Sequence, residues 1–152
     1  MYAYCMAAAH LELPHLRLDH HMISNVGAYG EGWEHIDNLL PGEACRGDLL
    51  PSTWDPAPLL PTFLHHCQGY SVEKYRYGKR AVPKNIMACD GPGPLVQPPA
   101  AFDAKFPVPP ADLPKKERRP GLATRRHAFA VCTATAHVNA AAAFVKERMC
   151  AG

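Results

Sequence analysis

The chain has 152 residues, 47% hydrophobic and 20% charged, the profile of one ordinary globular domain with a modest core. Its 16 basic and 14 acidic residues leave a net charge of +2, too balanced for the basic stripe of a nucleic-acid binder. The 16 prolines are the anomaly, about twice the usual share of roughly 5%.

The start, "MYAYCMAAAH", is apolar but lacks a basic leader and runs into His10 and Glu12 too soon for a signal peptide. Ala3 and Ala7 to Ala9 favour a helix over residues 1–12, stopped by Pro14. No stretch reads as long and apolar enough to span a membrane. Residues 15–60 are mixed, with "NVGAYGEGW" and "LLPGE" as loops and one short helix expected around Glu34 to Leu40.

Residues 61–67 read as a strand in which alternation sets Phe63, His65 and Cys67 on one face and Leu64 and His66 on the other. Gln68-Gly69 is then a turn and "YSVEKYRYGK" a second strand, the two making a hairpin. Residues 92–120 hold nine of the 16 prolines, a density that regular helix or sheet does not tolerate. They predict an extended strap of polyproline character. Residues 125–149 predict a helix: Val131, Thr135, Val138, Ala142, Val145 and Met149 recur in steps of four and three on one face. Thr124 serves as N-cap, and Lys146 and Arg148 suit the C-terminal dipole.

Cysteines stand at 5, 45, 67, 89, 132 and 150, with no C-x-x-C. Zinc ribbons and thioredoxin-like motifs are therefore unsupported, while the even count suits a disulfide-bearing secretory-pathway protein. Six cysteines allow 15 pairings, and spacing does not choose among them. If Cys132 and Cys150 share one helix they lie roughly 27 Å apart and cannot bond to each other.

His65 and His66 point to opposite faces of a strand, so only one could ligate a given metal, with partners from elsewhere. By spacing alone a hydrogen-bonded core or surface histidine fits better than a ligand. His10, His15, His20 and His21 add no H-x-x-x-H, and Asp19 beside His20 reads as solvated. Ser24, Ser52 and Ser71 lie outside any G-x-S-x-G, and neither a P-loop nor G-x-G-x-x-G occurs. "VEKYRYGKRAVPK" places Lys74, Arg76, Lys79, Arg80 and Lys84 among tyrosines. That is the pattern of a solvated edge strand guarded by lysines or, more sharply, of a cationic floor for a diphosphate. "KKERR", residues 115–119, reads as a solvated charge run in the strap.

Five stretches taken together carry a resemblance: "MYAYCMAAAHLELPH", "HHCQGY", "YRYGK", "VPKNIMACDGPGPLVQPP" and "CTATAHVNAAAAFVKERMC". In this order the chain resembles the C-terminal part of plant and algal peptidyl-serine α-galactosyltransferases and hydroxyproline O-arabinosyltransferases. The run from His65 to Pro99 is the most specific part. The resemblance implies an α/β protein with a partial GT-A-like glycosyltransferase fold, a β-hairpin, a proline-rich strap and a C-terminal helix. Residues 1–91 would be the C-terminal part of the GT-A-like domain, 92–123 the strap and 124–152 the helix packed on it. It further implies a UDP-sugar donor, Mn²⁺ or another divalent cation, and a hydroxyproline- or serine-rich protein acceptor in the Golgi lumen.

His65 matches the late histidine that completes the metal shell in such enzymes, where relatives carry an aromatic at the place of His66. Lys79 matches a lysine that meets the diphosphate, and Cys89 and Cys150 match structural cysteines. The sequence contains no Asp-x-Asp, the motif that holds the metal in the first half of these enzymes. The resemblance thus makes Met1 an internal methionine, with the donor-binding half and a membrane anchor upstream, and makes the chain alone inactive. The alternative from a different class is a non-catalytic His/Cys metal-binding or protein-interaction module. A third is a fragment with no function of its own.

Overall fold

Alanine-rich sequence at the start does form a helix, α1, over Tyr2–His10. In this computed structural model the described residues are 2–13, 22–23, 25–27, 32–46, 63–65 and 69–150. The end of α1 is a Schellman closure: Leu13 N–H donates to Ala8 O at 3.0 Å and Glu12 N–H to Ala9 O at 3.2 Å. Glu12 takes the left-handed position usually given to glycine, with φ 52°. Helix α2 covers Trp33–Asp37, entered through Gly32 at φ 80°, within the region expected to hold a short helix.

Strand β1 (Met22–Ile23) pairs in parallel with β2 (Phe63–Leu64), in the register Met22 to Phe63 and Ile23 to Leu64. The hairpin is a separate unit. It joins β3 (Tyr70–Val72) to β4 (Tyr75–Tyr77), in the register Tyr70 to Tyr77. This corrects the sequence expectation, in which residues 61–67 supplied one arm and Gln68-Gly69 the turn. The turn is instead Glu73-Lys74, with Glu73 at φ 49°. It carries no glycine or asparagine, so residue type does not announce it.

The proline-rich segment has neither helix nor strand from residue 92 to 99 and carries one 3₁₀ turn at Phe102–Lys105. It ends sooner than the composition suggests. Helix α3 runs over Lys115–Cys150, 36 residues, so "KKERR" forms its first turns. Pro120 lies inside it; the carbonyl it leaves unbonded belongs to exposed Lys116, where water can serve. Thr124 is no cap: its hydroxyl donates to Pro120 O at 3.0 Å within the helix. Gly121 is where strap and helix touch, since a Cβ there would stand 2.7 Å from Pro109 Cγ.

The core gathers on the middle of α3. Ala128, Ala130 and Val131 are fully buried, with Ile23, Trp33, Ile36, Tyr70 and Phe102 around them. Trp33 meets Phe129 edge-on at 6.5 Å between centroids, and Phe102 does the same with Tyr75 at 5.0 Å. One 18-residue window of α3 has mean hydropathy 1.5, enough by length and composition to cross a membrane. This corrects the expectation that no stretch qualifies. The same window is 44% buried by this fold.

Two disulfides fix the helix to the rest. Cys45 bonds Cys132, and Cys89 bonds Cys150. The two α3 cysteines thus bond outward rather than to each other. The architecture is α/β in the broad sense: short helices, a parallel strand pair, an antiparallel hairpin and one long C-terminal helix.

Candidate functional site

Three charged groups buried beneath the surface position the segments around them. Asp103 and Arg125 are both fully buried, with Arg125 Nη1 3.8 Å from Asp103 Oδ2. The Asp103 carboxylate accepts N–H donations from Gly42 at 2.9 Å, Ala44 at 3.2 Å and Cys45 at 3.1 Å. Arg125 Nη2 donates to Leu39 O and, at 3.3 Å, to Leu40 O. Its Nε and Nη1 have no hydrogen-bond acceptor among the described residues. Next to it Arg126 forks onto Asp37, with Nε to Oδ1 at 2.9 Å and Nη2 to Oδ2 at 2.6 Å. Arg126 Nη1 also donates to Val26 O at 2.7 Å, and its guanidinium lies over Trp33. These are fold-holding charges, and no spacing in the sequence pairs them: Arg126 and Asp37 stand 89 residues apart.

His65 follows directly on β2. Its N–H donates to Ile23 O at 2.8 Å, extending the parallel pair by one bond. Its carbonyl accepts the Tyr70 hydroxyl at 3.3 Å. The backbone is therefore held from both sides while the residue is exposed. The imidazole makes no hydrogen bond, ion pair or ring contact among the described residues. This is the carboxyl end of a parallel strand pair, the place where open α/β sheets bind ligands. No group of three or more His, Cys, Asp or Glu side chains that could hold a metal occurs among the described residues. One imidazole alone is a weak ligand for a hard cation. His66, Cys67, His15, His20 and His21 lie outside the described residues.

Lys79 sits in the turn after β4, closed by Ala81 N–H donating to Gly78 O at 2.8 Å. It is exposed, with no partner among the described residues, and no contact joins it to His65. A groove of about 250 Å³ lies against residues 74–78, with Leu95 and Val96 also in its wall. Of the cations that the sequence placed together, Lys74 and Arg76 line this groove; Lys79, Arg80 and Lys84 are exposed outside its lining. Tyr77, in the same wall, has its phenol pKa pushed up by burial.

Leu95 is pinned by a side chain the sequence did not mark. Asn139 Oδ1 accepts Leu95 N–H at 2.7 Å, and Asn139 Nδ2 donates to Leu95 O at 3.0 Å. Further along, Lys146 donates to Pro92 O at 2.8 Å and to Gly91 O at 3.2 Å. On α3, burial pushes His127 and His137 below the ordinary imidazole value. His127 stands edge-on to Tyr70 with ring centroids 6.0 Å apart.

With Cys45, Cys89, Cys132 and Cys150 all in disulfides, four of the six cysteines are not thiolate ligands. Comparison with known proteins adds no relative: no family model matches the chain, and neither a curated protein nor a solved structure does.

Proposed function

We propose that the chain is the C-terminal part of a GT-A-like glycosyltransferase that moves a sugar from a UDP-sugar to hydroxyproline or serine of cell-wall-type glycoproteins. The observation that carries this reading is the setting of His65. It is an exposed imidazole, without a hydrogen-bond or ion-pair partner among the described residues, on a backbone fixed at the carboxyl end of a parallel strand pair. The two disulfides support an oxidising compartment such as the Golgi lumen.

In this reading His65 would supply one ligand to Mn²⁺, and the remaining ligands would have to be carboxylates that this sequence does not provide as an Asp-x-Asp. A metal so held would supply charge stabilisation for a leaving diphosphate. Lys79 contributes a further positive charge to that diphosphate. The sequence contains no Asp-x-Asp to hold the metal beside His65, so in this reading the chain is inactive alone.

Two measurements test this. The chain should show no hydrolysis of UDP-galactose or UDP-arabinofuranose with Mn²⁺, and measurable turnover would overturn the inactive-part reading. In NMR titrations, Mn²⁺ should broaden His65 resonances only when UDP is present. Tight zinc binding that consumes Cys5 or Cys67 thiols would instead establish a His/Cys metal module.

A further inference from the structure

A two-residue turn fixes which backbone groups of the hairpin point outward. Val72–Tyr75 and Tyr70–Tyr77 are then the hydrogen-bonded pairs, and Ser71–Arg76 is the non-hydrogen-bonded pair. The N–H and C=O of Arg76 therefore face away from β3. Neither makes a hydrogen bond among the described residues, and β4 pairs with β3 alone there.

The groove lies against this edge. It is lined by five consecutive residues, 74–78, so it follows the strand rather than one of its faces. Its wall also includes Leu95 and Val96, with the Leu95 backbone held in place by Asn139. A guarded edge strand would face open water; this one has a second wall, with Val96 79% exposed in it. At about 250 Å³ the groove falls below the roughly 300–1,000 Å³ of small-molecule pockets, and its shape is that of a slot.

The charge on the slot has one sign. Among the described residues Lys74 and Arg76 line it and no acidic residue does, and Lys79 and Arg80 follow in the next turn. The nearby carboxylate of Glu73 is turned to Lys105 at 3.5 Å. We infer that this slot takes an extended acidic peptide. The peptide adds as a strand to β4, pairs with the Arg76 backbone, and sets its carboxylates on Lys74 and Arg76 and an apolar residue on Val96. The inference does not rest on the transferase reading, since it uses neither His65 nor a nucleotide.

The probe is a capped heptapeptide of alternating glutamate and valine, titrated into the oxidised 152-residue chain at low salt. Binding is expected near 0.1 mM, as an order of magnitude for so short a strand. Arg76→Glu and, separately, Val96→Glu should each weaken it by about tenfold or more. Both positions are exposed, and circular dichroism checks that each variant folds. The same peptide N-methylated at every backbone nitrogen should lose binding to the same degree, because it keeps its charge and loses its donors.

No binding up to about 1 mM would overturn the proposal. So would equal binding of the N-methylated peptide, or of an alternating lysine–valine peptide. A dimer of the chain abolished by Arg76→Glu would also overturn it, because the edge would then serve a second copy.

Discussion

The middle of α3 and its distal end belong to one unbroken helix, yet different forces hold them. From Arg125 to Thr135 nearly every residue is buried, on all sides of the helix. Beyond Thr135 only Ala142 is fully buried, while Phe144 and Met149 stand 54% and 77% exposed. The middle is gripped by apolar packing and by buried charge pairs, with the Cys45–Cys132 bond added to them. The distal part is held by discrete pins: Asn139 on Leu95, Lys146 on Gly91 and Pro92, and the Cys89–Cys150 bond. Alanines 140–143 have little apolar surface to bury, so polar and covalent links replace packing there.

The largest expected effect lies in the middle. Asp103→Ala strands Arg125 as an unpaired buried charge and takes the acceptor from three backbone donors. A loss of about 3–5 kcal/mol is expected, read as a lowered urea midpoint or outright unfolding. A loss below about 1 kcal/mol would mean that packing alone grips this part of the helix.

A smaller and more local effect is expected at the distal end. The double substitution Cys89→Ser and Cys150→Ser opens a link spanning 61 residues and should cost about 2–4 kcal/mol. Hydrogen exchange should rise over the last turns of α3 while amides 128–135 stay protected. Equal deprotection of both regions would erase the distinction between them.

The smallest effect is expected at Asn139→Ala, about 1–2 kcal/mol, because it leaves the Leu95 N–H and C=O without their partner. Residues 92–99 should become more susceptible to proteolysis, with the hairpin unchanged.

The same contrast explains what could be read in advance. The period of four and three correctly put Val131, Thr135, Val138 and Ala142 on a packed face, and it failed at Met149. Periodicity shows which residues share a face; whether another element covers that face is a tertiary fact. The helix start was misread because residues 115–120 were counted into the proline-dense strap. At an exposed position near the N-terminus a proline only hands one carbonyl to water. The hairpin was displaced because Gln68-Gly69 has turn chemistry and Glu73-Lys74 does not, while the left-handed Glu73 makes the turn. His65 and Lys79 were singled out by the resemblance alone; spacing favoured an ordinary histidine and a solvated lysine. The parallel strand end that fixes His65 depends on Ile23, more than 40 residues earlier, and no local pattern links them.

Asp103 has one more consequence, for the order in which the chain can be assembled. Its carboxylate holds the backbone N–H of Cys45, and Arg125 beneath it lies seven residues, about two turns, before Cys132 on the same helix. The ion cluster therefore brings the two sulfurs of that bond into register without help from the bond itself. Among 15 arithmetically allowed cysteine pairings, contacts other than the bond itself thus favour this one. Asp103→Ala is therefore expected to raise the share of mispaired chains on oxidative refolding, read by disulfide mapping.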